Sequence, residues 1–333
     1  MRNLRAGLVG MGVMGRHHAR VLSSLDGVDL VGIVEPTGVQ ASVSPETVFL
    51  TSLGELISAG VDYCVVAVPT ALHEEVGLLL AETGVHALIE KPLASEPAEA
   101  LRLVEAFEAR GLIGAVGHIE RFNPALQQAR SRMEAGDLGQ IFQITTRRQG
   151  PFPARISDVG VVKDLATHDI DLTAWIAQSQ YVSVSARTAF RTGRLHEDLV
   201  SVVGDLADGT VASHLVNWLS PFKERTTVIT GERGAFVADT LTADLTFYAN
   251  GSVPSAWDDV ANFRGVSEGD IVRFAFPKPE PLRTEHEAFR DAVLGRGNDI
   301  VSMRQGLATV TVADAILTSA RLGETIRVES STA

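Results

Sequence analysis

Asp164 and His168 stand four residues apart in the segment Lys163–Leu172. On a helix this spacing places both side chains on one face. Histidine is the usual proton-transfer group near neutral pH, and a neighbouring carboxylate fixes its tautomer and raises its basicity. The pair therefore indicates general acid–base chemistry; the alternative is a helix-capping aspartate beside a structural histidine. Asp169 and Asp171 do not share a face with His168, so the segment predicts no metal site.

A lysine follows directly on an apolar run, in the sequence Glu90-Lys91-Pro92 after Val85–Ile89. The carboxyl ends of strands in an open parallel sheet face the ligand crevice. Lys91 is therefore a candidate to reach a bound cofactor or substrate; the alternative is a surface lysine at a strand end.

A glycine-rich turn lies between a short apolar run and a helical stretch near the start of the chain. Its residues are Gly10, Met11, Gly12, Val13, Met14 and Gly15. This G-x-G-x-x-G order, with Glu35 following its last glycine by 20 residues, is the dinucleotide-binding pattern. An acid at Glu35 can accept hydrogen bonds from both ribose hydroxyls, and it would repel a 2′-phosphate. No Arg or Lys occurs between Glu35 and Lys91, so the sequence predicts NAD in preference to NADP.

Further binding residues are predicted from their places next to these elements. Additional cofactor contacts are expected at Pro69, Thr70, His73, Glu90 and Lys91. Guanidinium groups suit phosphate oxygens, so arginines are candidates for a substrate diphosphate; a solvated strand and loop is the alternative. The predicted substrate-binding residues are Lys91, Asn123, Arg147, Arg148, Arg155, Asp164 and His168.

Strand and helix signals alternate through the first third of the chain, which predicts βαβ units and a parallel sheet. The predicted helices there are Met14–Leu25, Leu53–Ala59, Leu72–Thr83 and Pro97–Arg110. Between the second and third apolar runs we expect a loop. After residue 140 strand-like segments joined by short turns predict a mostly antiparallel sheet, with helices at Ala166–Ala177, Arg283–Val293 and Met303–Leu322. Residues 251–269 are predicted to form an irregular loop.

The chain thus reads as an α/β protein: an N-terminal Rossmann domain over residues 1–120 and a C-terminal α+β domain over residues 121–333. The second domain is expected to bind substrate, and the last helices are expected to be able to pack back on the first domain.

The composition and net charge limit the partners, disulfides and location to be expected of the protein. The 333 residues are 45% hydrophobic and 21% charged, with a formal net charge of −12. That charge argues against nucleic-acid or anionic-membrane partners. The single cysteine, Cys64, allows no intrachain disulfide and lies in an apolar run that predicts a buried strand. With no signal peptide and no apolar stretch of ~20 residues, a cytoplasmic protein is expected.

Together the three motifs resemble the Gfo/Idh/MocA oxidoreductase family over essentially the whole chain. The resemblance implies reversible oxidation of a hydroxyl, usually on a sugar or cyclitol, with Lys91, Asp164 and His168 as the catalytic residues. It also implies a cis Lys91–Pro92 peptide. A large open sheet in the second domain, often an oligomer interface, would make the protein a homodimer or homotetramer. Whether Lys91 or His168 is the base stays open.

A narrower resemblance, to the UDP-N-acetylglucosamine 3-dehydrogenase branch, is carried by Gly117–Pro124 together with the segments Gly150–Pro153 and Asp158–Val161. It implies oxidation of the 3-hydroxyl of a UDP-N-acetylhexosamine. Two enzyme alternatives keep the fold: an inositol or free-sugar dehydrogenase, and a deoxysugar ketoreductase. An alternative of another class is a non-catalytic NAD-binding regulator.

Overall fold

The computed structural model describes residues 2–36, 48–153, 159–251 and 269–329, and divides into two compact units. The first unit comprises the residues up to Ile119 together with Glu280–Asp314. The second comprises Glu120–Pro279 and Ala315–Ser330. The residues from Glu280 to Asp314 thus belong with the N-terminal segment, although they follow the second unit's strands in sequence.

Most helices lie where their apolar periodicity predicts them. Those described are α1 (Val13–Leu22), α2 (Leu53–Ser58), α3 (His73–Glu82), α4 (Pro97–Glu108), α5 (Pro124–Glu134), α6 (Thr167–Ala177), α7 (Pro281–Val293) and α8 (Met303–Leu322). Local chemistry sets several starts: Ser52 caps α2, and a reciprocal capping box joins the N-cap Glu96 to Glu99 at the start of α4, where Pro97 is the first residue. Within the described ranges, no helix is long and apolar enough to span a membrane.

The centre of the first unit is a parallel sheet. Its described strands are β1 (Leu4–Val9), β2 (Val28–Val34), β3 (Phe49–Leu50), β4 (Tyr63–Val66), β5 (His86–Glu90) and β6 (Gly114–Gly117). Their order is β3-β2-β1-β4-β5-β6, which confirms the predicted Rossmann domain. The predicted loop between β2 and β3 falls mostly on residues 37–47, outside the described residues.

The core of the first unit shows why these runs form buried strands. Ala6 and Leu8 of β1 are fully buried and belong to one apolar cluster with Leu22 of α1 and Phe289 of α7. Cys64 is likewise buried in β4 as predicted, and burial raises the pKa of its thiol to about 12. A helix from late in the chain thus completes the core that the first residues begin.

A large sheet forms the second unit. Its described strands are β7 (Ile141–Pro151), β8 (Tyr181–Ala189), β9 (Leu199–Leu206), β10 (Val211–Asn217), β11 (Leu219–Gly231), β12 (Gly234–Asp239), β13 (Asp244–Ala249), β14 (Ile271–Arg273) and β15 (Ile326–Arg327). The order is β14-β13-β12-β11-β7-β10-β9-β8-β15, and every described pair is antiparallel except β7 with β10. The mostly antiparallel sheet is therefore confirmed. The irregular loop predicted over residues 251–269 falls almost entirely on residues 252–268, outside the described residues.

The two faces of this sheet differ. On one face Leu126 of α5 and Leu172 of α6 pack in an apolar cluster with Ile144, Ile229 and Phe236. Side chains alternate between the two faces along each strand, and the other face carries exposed apolar side chains. These are Val203, Val211, Tyr248 and Ile271. The helices α5 and α6 are therefore fixed to one side of the sheet, and α6 carries His168.

Candidate active site

The glycine turn is built for close backbone approach. Gly10 has a φ of +97°, and a Cβ on Gly15 would lie 2.1 Å from the Gly10 carbonyl oxygen. A Cβ on Gly12 would meet nothing within 4 Å. Gly12 is also the N-cap of α1, and no side chain caps it. Free N–H groups at the start of a helix are an anion site, so the turn fits a dinucleotide pyrophosphate.

Glu35 lies beside this turn, directly after β2. Its Oε2 accepts a hydrogen bond of 2.9 Å from the Met11 N–H. The bond holds an acidic side chain next to the glycine turn, where the sequence pattern requires it. The Met11 N–H therefore holds the Glu35 carboxylate in place without a bound ribose.

Thr70 and His73 follow β4, at the start of α3. The two ring nitrogens of His73 lie 2.9 Å from the Pro92 carbonyl oxygen and 3.1 Å from that of Val68, and the side chain is buried. Burial holds the pKa of His73 below its usual value. His73 thus ties the end of β4 to the Pro92 turn and offers no ring nitrogen to a cofactor. Thr70 begins a 3₁₀ turn after Pro69, and Leu72 is the N-cap of α3.

Lys91 follows the last residue of β5, and the Lys91–Pro92 peptide is cis, as the family resemblance implies. Glu90 is buried, and its Oε2 accepts a 3.0 Å hydrogen bond from the Lys91 N–H. Its Oε1 lies 2.8 Å from Nε2 of His18. Burial would raise the pKa of Glu90, but His18 and Lys91 hold it below its usual range. Glu90 is a predicted cofactor contact, and each of its two carboxylate oxygens contacts one of these neighbours.

Asp164 and His168 lie in the second unit on a helix of two kinds. A π-turn covers Val162–Ala166, and α6 begins at Thr167, so Asp164 sits in the π-turn and His168 in the first turn of α6. The helix predicted to start at Ala166 is therefore preceded by a π-turn that begins at Val162, and α6 itself begins at Thr167. Asp164 is buried and His168 partly buried. Such π-turns are rare and frequently occur at functional sites.

Glu197 anchors the start of that π-turn. Its Oε1 accepts a 3.0 Å hydrogen bond from the Val162 N–H, and its carbonyl oxygen accepts one from the Val161 N–H. A Cβ on Gly160 would lie 2.0 Å from the same Oε1. Only glycine at position 160 therefore leaves room for the carboxylate. The sequence showed no reason to select Glu197, because it comes almost 30 residues after His168.

Arg148 is not available to a substrate diphosphate, contrary to expectation. Its side chain is 4% exposed, its Nε donates to Asp169 Oδ2 at 2.9 Å, and its Nη1 donates to Glu120 Oε1 at 2.8 Å. Burial alone would lower the pKa of Arg148, but the two carboxylates raise it above its usual value. Asp171 is similarly held by two hydrogen bonds from Arg121. These carboxylates neutralise buried arginines.

Of the other predicted substrate residues, Asn123 is a helix cap. Its Oδ1 accepts from the Ala125 N–H and its Nδ2 donates to the Thr240 carbonyl oxygen, both at 3.0 Å. Arg147 is 52% exposed and its Nε lies 3.5 Å from Glu224 Oε1. Arg155 lies outside the described residues.

Arg225 is a charged neighbour of Asp164 that sequence reasoning missed. It pairs with Arg148 across the β7–β11 ladder and is partly buried. Burial and the charge of Arg148 lower its pKa, while Glu120, Asp169 and Asp164 act in the opposite direction. Its Nη1 is buried and has no hydrogen-bond partner among the described residues. Only the strand register shows that Arg225 lies beside Arg148, because no local sequence motif includes Arg225.

Known proteins resemble the chain over both units. Residues 4–118 match the model of an oxidoreductase family with an NAD-binding Rossmann fold, and residues 126–237 match the GFO/IDH/MocA C-terminal domain. Inositol 2-dehydrogenase 1 of Saccharopolyspora erythraea is 30% identical, with 98% of this chain and 96% of that protein covered. The chain belongs to the Gfo/Idh/MocA oxidoreductase family. It is accordingly an NAD-binding oxidoreductase.

A second member of the Gfo/Idh/MocA family is similar in sequence and structure. UDP-N-acetylglucosamine 3-dehydrogenase of Acidithiobacillus ferrooxidans is 32% identical over 216 residues, which are 64% of this chain and 66% of that protein. A solved structure of that enzyme has a TM-score of 0.83 at 25% identity and covers 97% of this chain and 99% of its own. By sequence the chain therefore aligns with just under two thirds of that relative, and by fold with nearly all of it.

Proposed function

We propose that this Gfo/Idh/MocA protein oxidises a sugar hydroxyl with NAD, and that its substrate is the 3-hydroxyl of a UDP-N-acetylhexosamine. The observation that carries the proposal is the joint presence of three reactive groups in an NAD-binding chain. Lys91 follows β5, Asp164 lies in the π-turn before α6, and His168 lies in the first turn of α6. The similarity to UDP-N-acetylglucosamine 3-dehydrogenase supports the choice of sugar.

The cofactor would be held by the glycine turn and the first N–H groups of α1, where Gly12 leaves open space. Bound NAD supplies the hydride acceptor. Glu35 would accept hydrogen bonds from the ribose hydroxyls of the adenosine half, while the Met11 N–H keeps its carboxylate in place.

We assign the proton transfer to His168. As the hydride leaves the carbon, His168 accepts the hydroxyl proton, and Asp164 orients the imidazole and stabilises its cationic form. Lys91 holds the reacting oxygen and stabilises negative charge that develops on it. Lys91 is the alternative candidate for the base, and the variants below distinguish the two.

The test is single-turnover oxidation. Purified protein freed of bound NADH is mixed at stoichiometric concentration with NAD and UDP-N-acetylglucosamine, and absorbance at 340 nm is followed. We expect a rise with the nucleotide sugar and none with free N-acetylglucosamine. The His168→Asn variant should lose about 10²- to 10⁴-fold in rate while NAD binding persists. His196→Asn serves as the matched control in the same unit. Wild-type rates in His168→Asn would contradict the assignment of the base.

An inositol is the second candidate substrate. It is favoured by the similarity to inositol 2-dehydrogenase 1, which spans 98% of this chain. A rise at 340 nm with myo-inositol and none with UDP-N-acetylglucosamine would select it. Tight NAD binding without turnover of any sugar, cyclitol or keto sugar would instead favour a non-catalytic regulator.

Preference for NAD over NADP is part of the proposal and rests on Glu35. In Glu35→Gln the amide oxygen can still accept from the Met11 N–H, but the negative charge that would repel a 2′-phosphate is gone. We expect the Kd for NADP to tighten about tenfold and the Kd for NAD to weaken less, as calorimetry would measure. An unchanged ratio of the two Kd values would contradict the role of Glu35.

We also propose a homodimer or homotetramer that buries the face of the second unit's sheet bearing Val203, Val211, Tyr248 and Ile271. Exposed apolar side chains on a broad sheet suit contact with a second copy. Light scattering on the wild type and on Val203→Lys would test it, since a lysine in the interface should reduce the assembly to monomers.

A further inference from the structure

A chain of hydrogen bonds runs through the first unit from α7 to the backbone of Lys91. Nε2 of His286 lies 2.8 Å from Nδ1 of His18, and Nε2 of His18 lies 2.8 Å from Glu90 Oε1. Glu90 Oε2 then accepts from the Lys91 N–H at 3.0 Å. All three residues are at most 8% exposed. Two imidazoles and a carboxylate therefore form a buried polar path that ends at the lysine.

The partners of these groups select one arrangement of protons. With Glu90 ionised, Nε2–H of His18 donates to the carboxylate and Nε2–H of His286 donates to Nδ1 of His18. His286 Nδ1 has no partner among the described residues, so in this arrangement it bears only a lone pair. The reverse arrangement would bury an N–H without an acceptor, which costs about 1–3 kcal/mol. Burial also holds the pKa of His286 well below its usual value, which agrees with a neutral ring.

The surroundings leave the Glu90 carboxylate little freedom. A Cβ on Gly117 of β6 would lie 3.2 Å from the Glu90 carboxyl carbon, so β6 packs directly against the group. The titratable groups that face Glu90 are His18 of α1, His73 of α3 and the adjacent Lys91. Among them His18 contacts the oxygen that Lys91 does not use, so its N–H fixes the orientation of the whole carboxylate.

We propose that His18 and His286 are positioning residues for Lys91. They hold the Glu90 carboxylate so that its second oxygen fixes the Lys91 backbone at the end of β5. His18 lies in α1, the helix that follows the glycine turn, so the same bonds tie that helix to the strand that ends at the lysine. The inference rests on the proposed function, because it concerns the residue assigned to hold the reacting oxygen. Small displacements of such a group, about 1 Å, can cost about 100-fold in rate.

The kinetic test compares three variants of the full-length protein, with NAD and whichever sugar supports NADH formation. His18→Leu removes the N–H and should lower kcat about 100-fold, while the Kd for NAD changes less than about threefold. His18→Gln keeps an N–H donor and should recover most of kcat. His17→Leu alters the exposed neighbour on α1 and should match the wild type. Wild-type kcat in His18→Leu, or equal losses in His18→Gln and His18→Leu, would overturn the proposal.

A readout without substrate separates this inference from the proposed function. Crystal structures of the wild type and of His18→Leu are expected to differ in the orientation of the Glu90 carboxylate and in the position of Lys91. A Lys91 that stays within coordinate error in His18→Leu would overturn the positioning role even if kcat falls. If no sugar or cyclitol is oxidised, the proposed function fails, and this pair of structures still decides whether His18 positions Lys91.

Discussion

Arg147 and Arg148 are adjacent in β7, but their surroundings predict contributions of very different size to the free energy of unfolding. Arg148 is buried between Asp169 and Glu120, whereas Arg147 is half exposed and lies 3.5 Å from Glu224. Removing one partner of a buried ion pair leaves charge without compensation and costs about 3–5 kcal/mol. An exposed pair contributes at most about 1 kcal/mol. The alternation of a strand thus decides which arginine the second unit needs.

We therefore expect Arg148→Met to destabilise the second unit by about 3–5 kcal/mol and Arg147→Met by less than about 1 kcal/mol. Urea unfolding followed by tryptophan fluorescence measures this, because the chain's three tryptophans all fall between residues 120 and 279. If Arg148→Met kept wild-type stability and instead weakened binding of UDP-N-acetylglucosamine, the diphosphate role first expected of Arg148 would be restored.

At the scale of the elements, the glycine turn between β1 and α1 combines a packing requirement with a binding requirement. Gly15→Ala places a Cβ 2.1 Å from a backbone oxygen and should destabilise the first unit by about 1–3 kcal/mol. Gly12→Ala meets no atom within 4 Å and should leave stability nearly unchanged while weakening NAD binding at least about tenfold. Thermal unfolding and NAD titration of both variants separate the two effects. An unchanged Kd for NAD in Gly12→Ala would contradict the assigned site.

The π-turn that carries Asp164 depends on a contact between Gly160 and Glu197. In Gly160→Ala the new Cβ displaces the Glu197 carboxylate from the Val162 N–H, so we expect lower kcat and a stability loss of about 1–3 kcal/mol. Adding Gly160→Ala to Glu197→Ala should cost little more, because the clash is gone. A double-mutant cycle measures this coupling, and we expect at least about 1 kcal/mol.

Gly54→Ala is the control for that cycle. Gly54 lies inside α2, where a Cβ would meet nothing within 4 Å, and alanine there should stabilise by about 0.5–1 kcal/mol. Additive effects of Gly160→Ala and Glu197→Ala would show that the carboxylate does not constrain position 160.

Several helices and strands could be located from the sequence alone. Periodicity located α8 to the residue, at Met303–Leu322, and the alternation of strands and helices predicted the parallel sheet. Asn123 directly before Pro124 matches the pattern of a helix start, and Asn123 is the N-cap of α5.

Long-range pairing accounts for most of what the sequence left undetermined in the candidate site. The contacts of Arg148 with Glu120 and Asp169 join residues 28 and 21 positions apart, and those of His18 with Glu90 and His286 join residues 72 and 268 positions apart. No local pattern encodes such partners, because they meet only when the strands and helices pack. Lys91, Asp164 and His168 were selected from short motifs, and their catalytic roles stay predictions.

Over the whole molecule, buried neutral histidines predict a loss of stability in acid. Burial lowers the pKa of His73, His86, His214 and His286, and that of His214 to about 4. A histidine with a lowered folded-state pKa binds protons more readily when unfolded. Its contribution is therefore complete above the unfolded-state pKa of about 6.5 and is lost as pH falls toward the folded-state value. For His214 the difference amounts to about 3 kcal/mol.

His214 allows the prediction to be tested in one variant. Its ring nitrogens lie 2.8 Å from Thr146 Oγ1 and 2.7 Å from the Tyr181 hydroxyl oxygen, and a glutamine can offer one donor and one acceptor without titrating. Between pH 7 and pH 4.5 the free energy of unfolding should fall less in His214→Gln than in the wild type, by urea unfolding at each pH. His17→Gln, at an exposed site, should keep the wild-type slope. Equal slopes in all three proteins would mean that His214 is already protonated in the folded state, and its hydroxyl partners would then both have to accept.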